Sequence, residues 1–421
     1  MKAKLDKVEP VEKDWDHKKL GKELDLFTFS DIVGKGLPLW TPKGAAIRRT
    51  LERFIVDEEI KKGYDHVYTP DIAKLDLYKK SGHYPYYKDS MYSPIEIEDE
   101  QFMLRPMTCP HHFELFLDKP RSYRELPIRY AELAKLYRFE KSGELMGLQR
   151  VRSFCLADAH IICTKEQAGK EIDSVLDLIE YVAKILGLTK DTDFSFRLSL
   201  GDRSDSNKKY YKDDKAWNHA EDELRQALIR RKSKFIEAEG EAAFYGPKID
   251  IQMVNANGKE DTAFTVQYDF VFPKRFKLEY VNEEGGKTEA VVIHRSSIGA
   301  IERIIAFLIE KYRGAFPIWL SPVQVKVLPI AERHMPYAVS IMKELRDSGI
   351  RVELDERAET LGNKIRNAQN EKVPYMLIMG DKEIENNTVS ERGRSGKDFG
   401  EHKLEDFIHD IKSEIDNKSI N

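Results

Sequence analysis

Arg150–Cys163 reads RVRSFCLADAHIIC, and shortly before it Leu133–Glu140 reads LAKLYRFE. Both stretches change character at every second residue, as a strand does when successive side chains point to opposite faces. In the longer one, Arg150, Arg152, Phe154, Leu156, Asp158 and His160 share one face, and Val151, Ser153, Cys155, Ala157, Ala159 and Ile161 share the other. In the shorter one, Tyr137 and Phe139 point toward a core while Arg138 and Glu140 point toward a groove. Lys141–Gln149 carries Ser142, Gly143 and Gly147, the composition of a mobile connecting loop. The pattern predicts two antiparallel strands joined by that loop. Arginine binds planar anions through a two-pronged fork, and an aromatic ring offers a plate for a base. An ordinary charged sheet face laced with ion pairs accounts for the pattern equally well.

Outward from this pair, further strands are expected at Phe194–Leu200, Lys248–Val254, Thr262–Val271 and Ala290–Arg295. Upstream, Thr41 suits a helix cap, Pro42 the first helical position and Gly63 the stop, with Ile47, Leu51, Phe54 and Ile55 on one face. His66–Pro70 follows as a short extended segment. A mostly antiparallel sheet carrying helices is an α+β domain. The helix expected at Ile298–Tyr312 is apolar nearly all round and therefore buried, yet it contains Glu302 and Arg303. Buried charge is costly unless it is paired or used, so Arg303 is either half of a structural ion pair or aimed at an anion such as phosphate.

The Gly- and Pro-bearing stretch Arg313–Pro322 marks a boundary, after which strands and helices alternate as in a compact α/β domain. Strands are expected at Val323–Leu328, Ile350–Leu354, Tyr375–Met379 and Asn387–Arg392. Helices are expected near Met335–Ser348, Leu361–Asn370 and His402–Asn417. The expected division is an extension over 1–17, a catalytic domain over 18–317 and a smaller domain over 318–421. Nothing approaches the roughly 20 apolar residues of a membrane span, and the charged start has no signal-peptide core. Three unevenly spaced cysteines, Cys109, Cys155 and Cys163, argue for a reducing cytosol rather than a disulfide framework. A formal charge of −4 neither supports nor excludes a nucleic-acid partner.

Pro70 after the long helix, Tyr137-Arg138-Phe139-Glu140 with its loop, and Gly299-Ala300-Ile301-Glu302-Arg303 resemble the three signature motifs of class II aminoacyl-tRNA synthetases. LRPMTCPHH (104–112), GLQRVRSFCLADAHIIC (147–163), AFYGPKID (243–250), FTVQYDF (264–270) and VIHRSSIGAIER (292–303) look like the threonyl branch of that class. LSPVQVKVLPI and VPYMLIMGDKE look like its anticodon-binding domain, and the likeness runs in order from about Asp16 onward.

That resemblance implies ATP bound with magnesium over the sheet. Arg138 is expected on the α-phosphate, Arg303 on the far phosphates, Phe154 against adenine, Glu140 at its amino group and Arg150 on the loop side. Together with Lys248, Arg138 and Arg303 make up the expected catalytic set. One Zn2+ per subunit is implied on Cys109, His160 and His294. Their spacing forms no compact metal motif, and by pattern alone each reads as a core thiol or a satisfied histidine. His111 and His112 stand nearby and are read as outside the ligand set, while Cys155 and Cys163 read as packing residues. Asp158, Tyr245, Gln267 and His83 are the expected substrate contacts, His83 near the tRNA end. An ordinary polar sheet edge also accounts for Tyr245, Lys248, Gln267 and His83.

The implied reaction joins L-threonine to tRNA(Thr) through an adenylate, in a homodimer whose interface uses the first long helix and the strand after it. The alternatives are a prolyl-type relative and a non-catalytic tRNA-binding paralogue. Where the family commonly has Gln-Asp-Asp-Ala-His, this chain has Leu156-Ala157-Asp158-Ala159-His160, which puts one polar substrate contact in question. Bacterial-type relatives usually carry an N-terminal domain that removes serine from tRNA. This chain begins at the catalytic core, and alone it is expected to leave seryl-tRNA uncorrected. Lys364, Arg366, Glu383, Arg392 and Arg394 are the candidates for reading anticodon bases, and each also reads as a solvated charge.

Overall fold

The computed structural model describes residues 15–204, 209–255, 258 and 260–420. Its largest sheet has eight strands: β1 (Asp65–His66), β2 (Ile128–Tyr137), β3 (Ser153–Cys163), β4 (Phe194–Leu200), β5 (Phe235–Glu239), β6 (Lys248–Val254), β7 (Glu260–Asp269) and β8 (Val291–Ala300). They lie in the order β5-β4-β6-β7-β8-β3-β2-β1. Every pairing is antiparallel except those of the outermost strands, β5 on β4 and β1 on β2. The α+β class expected from alternation is the class observed.

Helices α1 (Pro42–Lys61), α2 (Cys109–Leu117), α3 (Lys165–Ile185), α4 (Asp214–Arg230) and α5 (Ile301–Tyr312) accompany these strands. Thr41 opens α1, its hydroxyl accepting from Gly44 N at 3.2 Å. Thr164 turns β3 into α3 through a reciprocal cap with Gln167. Ile172, Val175, Leu176, Ile179 and Val182 recur at helical spacing and are fully buried, so α3 packs on β8, β7 and β3. The sheet face opposite carries the polar residues.

Two departures from the expected strands matter. β2 ends at Tyr137, so alternation does not carry Phe139 inward: Phe139 is 44% exposed, set edge-on to Tyr92 and under Arg152. β3 begins at Ser153, so Arg152 leaves the groove face and donates to the Glu140 and Lys35 carbonyls at 3.0 and 3.2 Å. Further on, the segment expected to start the closing helix at Ile298 is still strand. It turns at Gly299, whose φ of +74° and whose approach to the Ala263 carbonyl, 2.2 Å from where a Cβ would stand, admit only glycine. That turn delivers Glu302 and Arg303 to the sheet.

Contacts group residues 15–28, 38–51 and 307–420 in a second compact unit, separate from residues 29–37 and 52–306. This differs from a single cut after residue 317, because early segments pack with late ones: His17 Nδ1 lies 2.6 Å from Glu310, and Lys43 Nζ lies 3.5 Å from Glu371. Of the extension expected over 1–17, residues 1–14 lie outside the described residues, and His17 is buried at the start of a short helix.

The second unit holds β9 (Val325–Pro329), β10 (Val352–Leu354), β11 (Tyr375–Met379), β12 (Val389–Gly393) and β13 (Asp398–His402), ordered β10-β9-β11-β12-β13. The pairs β9–β10 and β9–β11 are parallel and the remainder antiparallel. Around it lie α6 (Met335–Asp347), α7 (Leu361–Asn370), α8 (Asp381–Asn386) and α9 (Leu404–Asp416). Val325, Val327, Leu345, Leu377 and Phe407 belong to its core.

Candidate active site

Along β3, Phe154, Leu156, Asp158 and His160 succeed one another on the polar face, each about 6.6 Å beyond the last. All four line one cleft of about 280 Å³, together with groups from β2, β7, β8, α5 and the loop before β3. The cleft has a cationic end and a sulfur–imidazole end.

At the cationic end Arg138, Arg150 and Arg303 converge. Arg138 leaves the end of β2, its guanidinium carbon 5.0 Å from the Phe154 ring centroid. Arg303 is anchored through Nε to the Gln149 carbonyl at 3.0 Å and through Nη1 to the Thr262 carbonyl at 2.6 Å. Burial pulls both guanidinium groups below their ordinary value. Arg303 is held down further by Arg138 and Arg150, against the pull of Asp261. Arginines packed this closely at a loss favour an anion between them. Glu140 accepts from Arg150 Nε at 2.8 Å, which fixes the loop side of this end.

At the other end Cys109 starts α2, His160 sits on β3 and His294 faces it directly across the β8–β3 pairing. One ligand atom from each lies within 4.8 Å of the others, and all three residues are buried. Burial, then the carboxylates of Asp158 and Asp269, push the Cys109 thiol well up, while burial, then His294 and His112, push the His160 imidazole well down. Two imidazoles and a thiol, inward-facing with acid groups behind them, suit zinc, and three ligands leave a fourth position open. His294 Nε2 meets Asp269 Oδ2 at 2.9 Å, and Asp269 is held by the Val271 and Phe272 amides at 2.8 and 3.0 Å. Asp269 was not among the residues singled out by motif, although it shares its strand face with Gln267.

Between the ends, Asp158 points into the cleft, its carboxyl raised by burial against the pull of His112 and His294. Tyr245 donates to Gln267 at 2.6 Å and stacks on His294, centroids 5.0 Å apart. Gly246 makes this possible, since a Cβ there would meet the Tyr268 carbonyl at 1.8 Å.

Other expected residues stand elsewhere. Lys248 is not on the cleft wall: its ammonium lies 2.9 Å from Asp250, a fully buried carboxylate that also draws Arg197 and Ser199. His83 is wholly buried behind Cys109, Nε2 at 3.9 Å from Sγ, because Tyr87, Phe244 and Phe272 enclose it. Leu156 lines the cleft, whereas Ala157 is buried on the opposite face.

In the second unit Lys364 is buried and donates to the Pro329 and Asp355 carbonyls at 3.0 and 3.1 Å, which makes it a structural tie rather than a base reader. Arg394 donates to the Phe316 carbonyl at 2.6 Å, and Glu383 accepts from Gly380 N at 2.8 Å to cap α8. Arg392 reaches Asp398 at 3.5 Å, and Arg366 is exposed on α7.

The sheet and its arginine-lined groove belong to a class II aminoacyl-tRNA synthetase core. Residues 92–312 match the family described as tRNA synthetase class II core domain (G, H, P, S and T), and residues 324–414 match the anticodon binding domain. A solved structure described as the RNA binding domain of threonyl-tRNA synthetase from Cryptosporidium parvum Iowa II superposes with a TM-score of 0.89 at 37% identity, over 94% of this chain and 98% of that one. A putative threonyl-tRNA synthetase from Aeropyrum pernix gives 0.84 at 32% identity, over 96% and 97%. The chain belongs to the threonyl-tRNA synthetase family. It is 51% identical over 404 residues to a threonine–tRNA ligase of Geobacillus sp. (strain WCH70), and 51% identical over 416 residues to one of Clostridium botulinum (strain Eklund 17B / Type B). These alignments cover 96% and 98% of this chain but 62% and 64% of those relatives, so the chain spans under two thirds of their length.

Proposed function

We propose that this chain activates L-threonine with ATP and transfers it to tRNA(Thr). The observation that carries this reading is the order along one strand face: arginines around Phe154, then Asp158, then His160 facing His294 and Cys109. A threonine carboxylate oxygen attacks the α-phosphorus of ATP, the bridging bond to the β-phosphate breaks, and pyrophosphate leaves with magnesium. Arg138 steadies charge on the α-phosphate and Arg303 holds the far phosphates. Phe154 supports adenine, with Glu140 and Arg150 at its edge. No side-chain nucleophile is needed, because positioning and fixed charge lower the barrier. A hydroxyl of the tRNA's terminal adenosine then attacks the threonyl carbonyl, releasing AMP.

Cys109, His160 and His294 would hold zinc, which when bound supplies a Lewis acid for the substrate's amine and hydroxyl. Asp158 accepts from that hydroxyl. Valine matches threonine in shape but offers no hydroxyl, and a site built for the hydroxyl rejects it strongly. Arg138, Glu140 and Arg303 together favour an active enzyme over a non-catalytic paralogue, and the thiol–imidazole set disfavours a prolyl-type one. A homodimer is part of the reading, supported by Tyr68, 94% exposed beside Pro70 and the edge strand β1. Three buried free cysteines suit the cytosol, and among the described residues no helix is long and apolar enough to cross a membrane.

Amino-acid-dependent pyrophosphate exchange tests the reading. Threonine should support it, serine more weakly, valine at least about a thousandfold less and proline not at all. Chelation should abolish it and zinc restore it. Full exchange with threonine after complete zinc removal would overturn the substrate assignment.

A further inference from the structure

Behind His160 stands a file of buried polar groups that the proposed reaction does not use. His112, one turn along α2 from Cys109, places Nδ1 2.8 Å from His160 Nδ1, the rings edge to face with centroids 4.8 Å apart. His112 Nε2 lies 3.3 Å from Glu132 Oε2. Glu132, opposite Asp158 in the β2–β3 pairing, also accepts from the Thr69 hydroxyl at 2.7 Å and from Arg105 at 2.9 Å. His112, His160 and Glu132 are all essentially inaccessible to water.

These contacts favour one proton arrangement. Burial opposes the charge on Glu132, but hydrogen bonds from His112 and Thr69 and the Arg105 guanidinium outweigh it and hold the carboxyl down to about 2. As an ionised acceptor, Glu132 takes the Nε2 proton of His112. His112 Nδ1 then faces His160 Nδ1 across 2.8 Å, and the proton between them sits on His160 when its Nε2 serves as a ligand. His160 is left with a bare Nε2, facing the space it shares with Cys109 and His294. A histidine one bond from a carboxylate is a common way to fix a ligand's tautomer, and His294 has that arrangement through Asp269. His160 has it at one remove.

We propose that Glu132 and His112 form a relay that fixes His160 in the Nδ1-protonated tautomer and so sets the affinity of the three-ligand site for its metal. Both are positioning residues, acting through His160 and touching neither substrate. The proposal rests on the zinc site proposed above, and its test separates the two.

Zinc content is first measured on the purified full chain, and its affinity by competition with a chromophoric chelator, for the wild type, His112→Phe, Glu132→Asp and the double variant. Phenylalanine fills the ring's place but carries no proton. Aspartate keeps a charge for Arg105 while withdrawing from His112. Each single variant should bind zinc about 10- to 100-fold more weakly, and the double variant no more weakly than His112→Phe, because the two act in series. The threonine KM should rise while the ATP KM stays put, a split that general loosening would not produce. Should either variant fail to fold, histidine-selective 15N spectra of the zinc-loaded wild type read the tautomers directly. Nε2-protonated His112 and Nδ1-protonated His160 are expected. Zinc at one per chain with affinity in His112→Phe within threefold of wild type, or a His160 protonated at Nε2, overturns the relay alone. A wild type that takes up no zinc overturns the relay and the metal reading together.

Discussion

The Arg138 guanidinium lies over the face of Phe154, 5.0 Å from its centroid, so a cleft arginine and the phenyl ring of β3 are mutually supporting. The two come from neighbouring strands, where Leu136 pairs with Phe154, and neither is held by an ion pair as direct as that of Arg150 with Glu140. A cation–ring contact in a dry cleft both orients the arginine and keeps the ring from turning.

Phe154→Leu keeps the apolar bulk and removes the ring face. Stacking of a base on an aromatic ring contributes about 1–3 kcal/mol, so the ATP KM in pyrophosphate exchange should rise about tenfold or more. The maximal rate should fall by a smaller factor, because Arg138 loses its support. The threonine KM should change less than twofold. An ATP KM that does not move would remove Phe154 from the proposed nucleotide site.

Arg303 tests the cationic end separately. Burial and its two arginine neighbours disfavour its charge, a cost relieved only when an anion arrives. Arg303→Met should lower the exchange rate by about 100-fold or more, while the melting temperature stays close to that of the wild type. Inorganic pyrophosphate with magnesium should raise the wild-type melting temperature and leave that of Arg303→Met nearly unchanged. Equal stabilisation of both proteins would place the phosphates elsewhere.

What the sequence disclosed of this site depended on which contacts are local. Phe154, Asp158 and His160 share a face because they are an even number of residues apart, a relation that alternation alone supplies. The facing of His160 by His294 is a matter of register between strands far apart in the chain, and no spacing encodes it. The same holds for His112, which sequence reading set aside beside Cys109 and which the α2–β3 packing brings to His160. Lys364 misled for the opposite reason: its neighbours are polar and helical, but Pro329 and Asp355 offer buried carbonyls that only the folded chain reveals. β13 escaped because Asp398, Phe399 and Gly400 are all exposed, so no apolar alternation marks an edge strand there.

Glu132 makes acid stability diagnostic. Its carboxyl faces His112, Thr69 and Arg105 and is held down to about 2, below its ordinary value. A depressed carboxyl contributes stability that is complete above the unfolded value of about 4.3 and is lost as pH falls toward the folded value. Between pH 5 and 3 the wild-type melting temperature should therefore drop more steeply than that of Glu132→Gln, which starts lower at pH 7. The two curves should converge near pH 2, where the folded carboxyl is itself protonated. Parallel curves would mean that Glu132 does not titrate on unfolding.

The two residues by which this chain departs from the family's common pattern should behave as opposites. Leu156 lies on the cleft wall between Phe154 and Asp158, whereas Ala157 is buried on the far face, its carbonyl accepting from the Ser296 hydroxyl at 3.0 Å. Leu156→Gln places an amide on the cleft wall where the proposed threonine would lie, and one added neutral hydrogen bond contributes about 0.5–1.5 kcal/mol. The threonine KM should thus fall by roughly two- to tenfold, with little change in melting temperature. Ala157→Asp forces a carboxylate into a dry layer that was packed around a methyl group, at a cost of several kcal/mol unless it finds a partner. Its melting temperature should drop by several degrees, while the fraction that folds keeps the wild-type threonine KM. A stable Ala157→Asp protein with an altered threonine KM would reverse the assignment of the two faces, and with it the alternation on which the order from Phe154 to His160 depends.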